Sequence, residues 1–249
     1  MSGEMPAEGL DARRRRVLQT RETLARAAFE LLLKHGWSSL TIEAISDHAE
    51  MSRRTFSRHF TGKEDALAEV LGADLRMINE ALEQRPAEEP PLVAYRRAVA
   101  DWLRRERRAW HRSPHGADLL RLIEDRPELR AAFLRVRQDA EARTAELMAP
   151  RIPVRPPASA SCGPHAQHPS DVRLRAALAA AVATSAFGTA VRLWVAGPAE
   201  CDLAGLVQSA FDELGCLVDE SERPAAVPTA VADRIPGARE ADHASPARC

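Results

Sequence analysis

The chain has 249 residues, 45% of them hydrophobic and 29% charged, with 35 Lys and Arg set against 36 Asp and Glu. That length suits one large or two small domains around a sizeable core, and the composition is that of a soluble globular protein. A formal net charge of −1 rules out reading a nucleic-acid partner from overall charge, so any such role must rest on local clustering. Aromatics are scarce at 4%, and the abundance of Ala, Leu and Arg predicts an all-α fold. The cysteines Cys162, Cys201, Cys216 and Cys249 are scattered without a C-x-x-C pair. A disulfide framework is therefore not expected, and a cytoplasmic location is.

In chain order, residues 1–17 are expected to form a flexible arm carrying the basic run Arg13–Arg16, with no apolar stretch of the signal-peptide kind. That run suits either an arm that embraces DNA or a solubilising tail. A helix is predicted from about Thr20 to His35, with Leu24, Ala27, Ala28, Leu31 and Leu32 at helical spacing and Gly36 placed to stop it. Thr41 is placed to cap a second short helix bearing Ile42, Ala44, Ile45 and Ala49, and Ser52 to cap a third. A fourth opens at Lys63 and runs through Leu67, Leu71, Leu75 and Ile78.

"RPAEEPP" at 85–91 reads as a sharp turn or linker. Helical patterns resume at Leu92–Arg108, Ala117–Asp125 and Pro127–Met148, the last with Pro127 in its first turn. A Pro-, Ser- and Ala-rich loop follows at 149–170. Two more helices are expected, from Asp171 to Ala196 and from Asp202 to Val218; 221–249 reads as a disordered tail. The apolar run "AALAAAVATSAFGTAVRLWVAG" contains Arg192 and reads as a buried helix rather than a membrane span, so no membrane partner is expected.

The stretch "AEMSRRTFSRHFTGKEDAL" carries the sharpest signal. Only a short turn separates the second helix from the third, which is the helix-turn-helix layout. Phe56 and Phe60 fall one turn apart and are expected to pin the third helix against Phe29, Leu32, Leu40, Ile45 and Met51. That turns Arg53, Arg54, Ser57 and Arg58 outward, and arginine is the best bidentate reader of a guanine edge. Thr41, Ser57, His59 and Lys63 are candidates to hold phosphates.

These residues resemble the N-terminal domain of the tetracycline-repressor (TetR) family over about residues 18–70, most distinctively in F-x-x-K at Phe60–Lys63 after "SRRTF". The resemblance implies an all-α regulator with no cofactor. It implies a helix-turn-helix domain at 18–65, and a ligand-binding and dimerisation domain at 66–220. Its partners would be double-stranded operator DNA, a small-molecule effector and a second copy of the chain. By position it implies base-facing roles for Arg53, Arg54 and Thr55, with Arg58 as an addition, and phosphate-facing roles for Thr41, Ser57, His59 and Lys63. Two positions depart from the family pattern: Ser57 stands where tyrosine is usual, and Glu50 stands in the turn where glycine is common.

In the body, Trp102, Leu103, Trp110, Leu119, Leu122, Phe133, Val136, Phe187 and Val191 are candidates to line a pocket, and each is equally a candidate for plain core. "GKEDAL" after "SRRTF", together with "AVRLWVAGP", is similar to a subgroup that binds acyl-CoA-like ligands. The small residues Ala176, Ala177, Ala180, Ala183, Ala186, Gly188 and Ala190 allow close helix approach at a dimer interface, with Phe187, Leu193, Trp194, Leu206, Phe211 and Leu214 as its larger contacts.

An enzyme is not expected, because no G-x-S-x-G, Gly-rich phosphate loop or H-E-x-x-H occurs. A competing reading makes the chain a metal-responsive regulator using Cys162, His165, His168 and Asp171; another makes it an activator.

Overall fold

The computed structural model describes residues 7–105, 110–112, 115–153, 169–197 and 202–222. Among them lie nine α-helices and no strand, as the composition required. The helices are α1 (Ala7–His35), α2 (Ile42–His48), α3 (Arg53–His59), α4 (Lys63–Glu83), α5 (Pro91–Arg105), α6 (Gly116–Asp125), α7 (Pro127–Met148), α8 (Pro169–Ala196) and α9 (Leu203–Glu222).

Helix α1 departs from expectation at its start. It begins at Ala7 rather than near Thr20, so Arg13–Arg16 lie within a helix instead of an extended arm. Thr20 and Thr23 sit mid-helix, their hydroxyls donating to the carbonyls of Arg16 and Gln19 one turn back. Its end is as anticipated. Gly36 takes φ 74° and donates its N–H to the Leu32 carbonyl at 2.9 Å.

The next three elements are set by local chemistry. The Thr41 hydroxyl accepts from the Ala44 N–H at 3.1 Å and caps α2. The Ser52 hydroxyl accepts from the Thr55 N–H at 3.0 Å and caps α3. Between them α2 closes in a Schellman motif. Glu50 donates to the Asp47 carbonyl at 3.1 Å and Met51 to Ser46 at 2.9 Å, which forces Glu50 to φ 54°. The chain thus keeps the left-handed turn without the glycine that makes it free of strain.

The body is a stack of helices around α4 and α7, which pack along each other for much of their length. Gly72 marks their closest approach, since a Cβ there would come within 2.8 Å of Val136 Cγ1. Pro127 occupies the first turn of α7, and Asp202 caps α9 by accepting from the N–H groups of Ala204 and Gly205. One continuous core joins Leu24, Phe56 and Leu67 near the N-terminal end to Tyr95, Leu129 and Phe187 in the body.

The small residues of α8 divide between core and surface, with Ala177 exposed and Ala186 and Gly188 half-buried. Ala176, Ala180, Ala183 and Ala190 are buried within the monomer, as are Phe187 and Phe211, so these are not free for another chain. The outward-facing apolar side chains are Leu174, Leu178, Val182 and Leu193. By length and a mean hydropathy of 1.5 over Val172–Ala196 this helix could cross a membrane, yet it packs against α7 and α9 in the bundle. The 223–249 tail and the Cys162, His165 and His168 cluster lie outside the described residues.

Candidate functional site

The surface of α3 follows from its buried face. Phe56 and Phe60 are almost fully buried, with ring centroids 5.6 Å apart, against Leu40 and Ile45 and the partly buried Phe29, Leu32 and Met51. Burying two benzyl groups in a seven-residue helix fixes which side faces out, because such a helix is too short to hold its own shape in water. Arg53, Arg54, Ser57 and Arg58 are exposed; Thr55 and His59 are half-buried.

The exposed cations differ in freedom. Arg53 is held to Glu43 of α2 at 2.7 Å, an exposed pair that solvent screens heavily. Among the described residues, Arg54 and Arg58 have no ion-pair partner and stand ready for an anionic or acceptor surface. The Glu43 carboxyl is held below its ordinary range by the backbone at its own position and by Arg53. Thr55, expected to face a base, has its hydroxyl 2.9 Å from the capping Ser52 hydroxyl. Thr41 is likewise engaged, as a cap through its acceptor lone pair and through a side-chain bond that helps lower the Glu43 carboxyl.

Lys63 is turned inward more than the sequence suggested. Its ammonium donates to the carbonyls of Leu40 at 2.9 Å and Trp37 at 3.4 Å, and lies 4.3 Å from the centre of the Trp37 ring. It therefore ties the first turn of α4 to the segment leading into α2. Arg126, at the α6–α7 corner, approaches the same ring at 5.2 Å, and Arg135 of α7 pairs with Asp65 at 2.7 Å. Burial pushes the Asp65 carboxyl up, but bonds from Thr61 and Arg135 outweigh it and hold the group below its ordinary value.

Sequence reasoning missed Arg21. Its guanidinium sits 4.4 Å from the Phe60 ring centre, donates to the His59 carbonyl at 2.6 Å and pairs with the buried Glu69. Glu69 pairs with Arg76 as well, so one buried carboxylate locks α1 to α4. Only the conjunction of a buried acid with a basic residue on another helix would have signalled this. Burial, with Arg21 and Arg58 nearby, keeps the His59 imidazole below its ordinary pKa.

The body contains a cavity of about 200 Å³ bounded by α4, α5, α6, α7 and α8. Of the expected lining residues, Phe133, Phe187 and Val191 line it. Trp102, Leu103 and Leu119 are buried elsewhere in the core, Leu122 packs against that core, and Val136 wedges against Gly72. The side chain of Trp110 lies outside the described residues. Apolar periodicity could not separate the wall of a cavity from the core behind it. The polar lining went unnoticed: Asn79, Tyr95, Arg137, Glu141, Thr144 and Thr184.

An all-α chain whose capped α2, left-handed turn and phenylalanine-rooted α3 project arginines from a small globule is a helix-turn-helix protein. Residues 24–70 match the model of the tetR family of bacterial regulatory proteins. The chain is similar to the HTH-type transcriptional regulator TcmR of Streptomyces glaucescens, 37% identical over 146 residues. That match covers 57% of this chain and 65% of the relative's length.

Among solved structures, the chain resembles SmeT, the repressor of the Stenotrophomonas maltophilia multidrug efflux pump SmeDEF. Identity is 17%, coverage 79% of this chain and 89% of that one, and the TM-score 0.47. It also resembles Thermus thermophilus FadR, a TetR-family repressor in complex with lauroyl-CoA, at 21% identity, 88% and 100% coverage and a TM-score of 0.43. Likenesses at these scores say nothing about what this chain binds.

Proposed function

We propose that this protein is a ligand-responsive transcriptional regulator that binds a palindromic operator as a homodimer and releases it when a small hydrophobic effector enters the body. The observation that carries this reading is α3 itself, rooted by Phe56 and Phe60 and presenting Arg54 and Arg58 unpaired at its surface. The tetR-family match over residues 24–70 and the likeness to the transcriptional regulator TcmR support it.

Arg53, Arg54 and Arg58 are proposed to probe base edges, with Thr55 at the helix start beside them. Thr41, Ser57, His59 and the remaining N–H of Lys63 face phosphates. The apolar stripe Leu174, Leu178, Val182 and Leu193, exposed on α8, supports a homodimer through that face. Two copies of α3 then enter successive major grooves ~34–36 Å apart. On this reading the helix-turn-helix domain spans 18–65, the effector and dimer domain 66–220, and the protein works in the cytoplasm.

Coupling runs through α4 and α7, which line the cavity and also hold the DNA-reading domain. Leu71, Leu75 and Asn79 of α4 face the cavity, while Lys63 at the start of α4 grips the segment before α2. A ligand that shifts α4 or α7 moves α3 with it, and operator affinity falls by as much as the ligand prefers the shifted state. The same device serves an activator where the operator lies upstream of a promoter. Selection of bound duplexes from a random DNA pool is the test. Enrichment of an inverted repeat with half-sites one helical turn apart is expected; enrichment of no sequence at all would end the proposal.

A further inference from the structure

The polar groups around the cavity fall into two sets. One is self-sufficient. Asn79 donates to the Ala140 carbonyl at 3.0 Å, and the Thr144 hydroxyl lies 2.8 Å from the Asn79 amide oxygen and 2.9 Å from the same carbonyl. Thr184 similarly donates to Glu141 at 2.9 Å. These groups gain little by meeting a ligand.

The other set is unsatisfied. Tyr95, the chain's single tyrosine, is 2% exposed and lines the cavity, yet its hydroxyl makes no hydrogen bond among the described residues. A hydroxyl on a cavity wall with no protein partner keeps its O–H free to donate to whatever enters. The Tyr95 ring is held by Phe211, 6.3 Å away between centroids. Arg137 also lines the cavity, half-buried and with no ion pair among the described residues. Its guanidinium and that of Arg192 both come within 3.7 Å of the point where a side chain at Gly188 would begin. Three arginines, Arg130, Arg137 and Arg192, border the cavity against two glutamates, Glu124 and Glu141.

We propose that the effector is a compact apolar acid, its carboxylate accepting from the Tyr95 hydroxyl and pairing with Arg137 while its body fills the apolar part of the cavity. This rests on the reading of the chain as an effector-controlled regulator, and it narrows the effector class. Size argues for compactness. The cavity measures about 200 Å³, against ~150 Å³ for a cavity that takes benzene, so it holds a body of one or two rings or a medium-length chain. The nucleotide of an acyl-CoA does not fit inside. Chemistry argues for the acid, because a fixed O–H donor beside an unpaired guanidinium is the donor pair a carboxylate satisfies. Burial raises the Tyr95 pKa, with Arg137 opposing and Glu141 adding to the rise, so the phenol stays a neutral donor at pH 7.

The test is calorimetric titration of the full chain with sodium 1-naphthoate, sodium decanoate, 1-naphthol, 1-decanol and lauroyl-CoA. The acids are expected to bind at least about tenfold more tightly than their neutral counterparts, with Tyr95→Phe costing the acids about tenfold and leaving the alcohols unchanged. Arg137→Gln should abolish the preference for acid over alcohol. Thermal melts check that both variants fold; Tyr95→Phe keeps the ring that packs on Phe211.

Alcohols binding as tightly as acids would overturn the proposal. So would variants that bind acids as the parent does, failure of all four small compounds to bind, or lauroyl-CoA binding alone. Repeating the titrations with DNA selected from a random pool separates this from the broader reading. Acids that fail while lauroyl-CoA still displaces DNA sink only the acid. A protein that selects no DNA yet binds acids through Tyr95 sinks only the regulator.

Discussion

The outward face of α3 and the cavity of the body are built by opposite routes. The groups that decide which way α3 points lie close in the chain: the Ser52 cap, the Glu50 turn, the Phe56 and Phe60 anchors and the arginines between them. The cavity draws Leu71, Tyr95, Ile123, Phe133, Thr184 and Val195 from five different helices. A site made of near neighbours writes its geometry into spacing and turn chemistry. A site made of distant residues depends on how the helices pack, and its shape changes when any one of them moves.

The strongest way to break that contrast is to uproot α3. Phe56→Ala should destabilise the protein by about 3–5 kcal/mol, read as a drop in denaturation midpoint, because α3 shares one core with the body. A variant with unchanged midpoint would mean α3 is held by something other than its phenylalanines.

Arg54→Ala leaves the fold intact and should relax discrimination at one base position by ~1–3 kcal/mol, measured as the ratio of affinities for cognate and mutated operators. Arg53→Ala should cost less, since Arg53 must first release Glu43. If Arg54→Ala weakens every sequence alike, that arginine holds phosphate rather than a base.

Arg135→Gln addresses the joint between the two regions, because Arg135 links cavity-lining α7 to Asp65. Its expected effect is a severalfold reduction in how far a ligand lowers operator affinity, with both affinities taken separately changing little. An unaltered coupling ratio would leave α4 as the sole conduit.

Glu50→Gly should raise stability by up to ~1 kcal/mol, by relieving the φ of 54° and removing a negative charge from the C-terminal end of α2. A loss of stability would show that the Glu50 side chain contributes more than its backbone costs.

The smallest effect concerns His59. Its pKa is lowered in the folded chain, so the group adds stability that is fully present above the unfolded value near 6.5 and is lost as pH falls. A phosphate beside it would favour the protonated form, so operator affinity should rise as pH falls from neutrality, and His59→Gln should flatten that rise. A flat profile in the parent protein removes His59 from the phosphate contacts.

Much of this was legible before any coordinates. The all-α class, the Thr41 and Ser52 caps, Gly36 as a stop and Pro127 as a start all follow from single residues acting on the backbone beside them. The early start of α1 was not, because Thr20 suits a cap and a mid-helix position equally, and only the backbone upstream decides between them. Lys63 read as an exposed cation on sequence, yet its ammonium found carbonyls of Trp37 and Leu40 brought near by folding. In the body, Trp102 and Leu119 carried the same apolar signal as Phe133 and Phe187, and the first pair became core while the second faced the cavity.

The sequence by itself determined the helices, their stops and the outward turn of the α3 arginines, since these depend on hydrogen bonds and side-chain periodicity within a few residues. Tertiary structure alone decided that the Tyr95 hydroxyl would meet the cavity without a protein partner, that Arg137 and Arg192 would converge beside Gly188, and that Leu174, Leu178, Val182 and Leu193 of α8 would face out. The reason is physical: local rules fix which way a side chain points along its own helix, whereas burial and unmet hydrogen bonds depend on what the rest of the chain places opposite it.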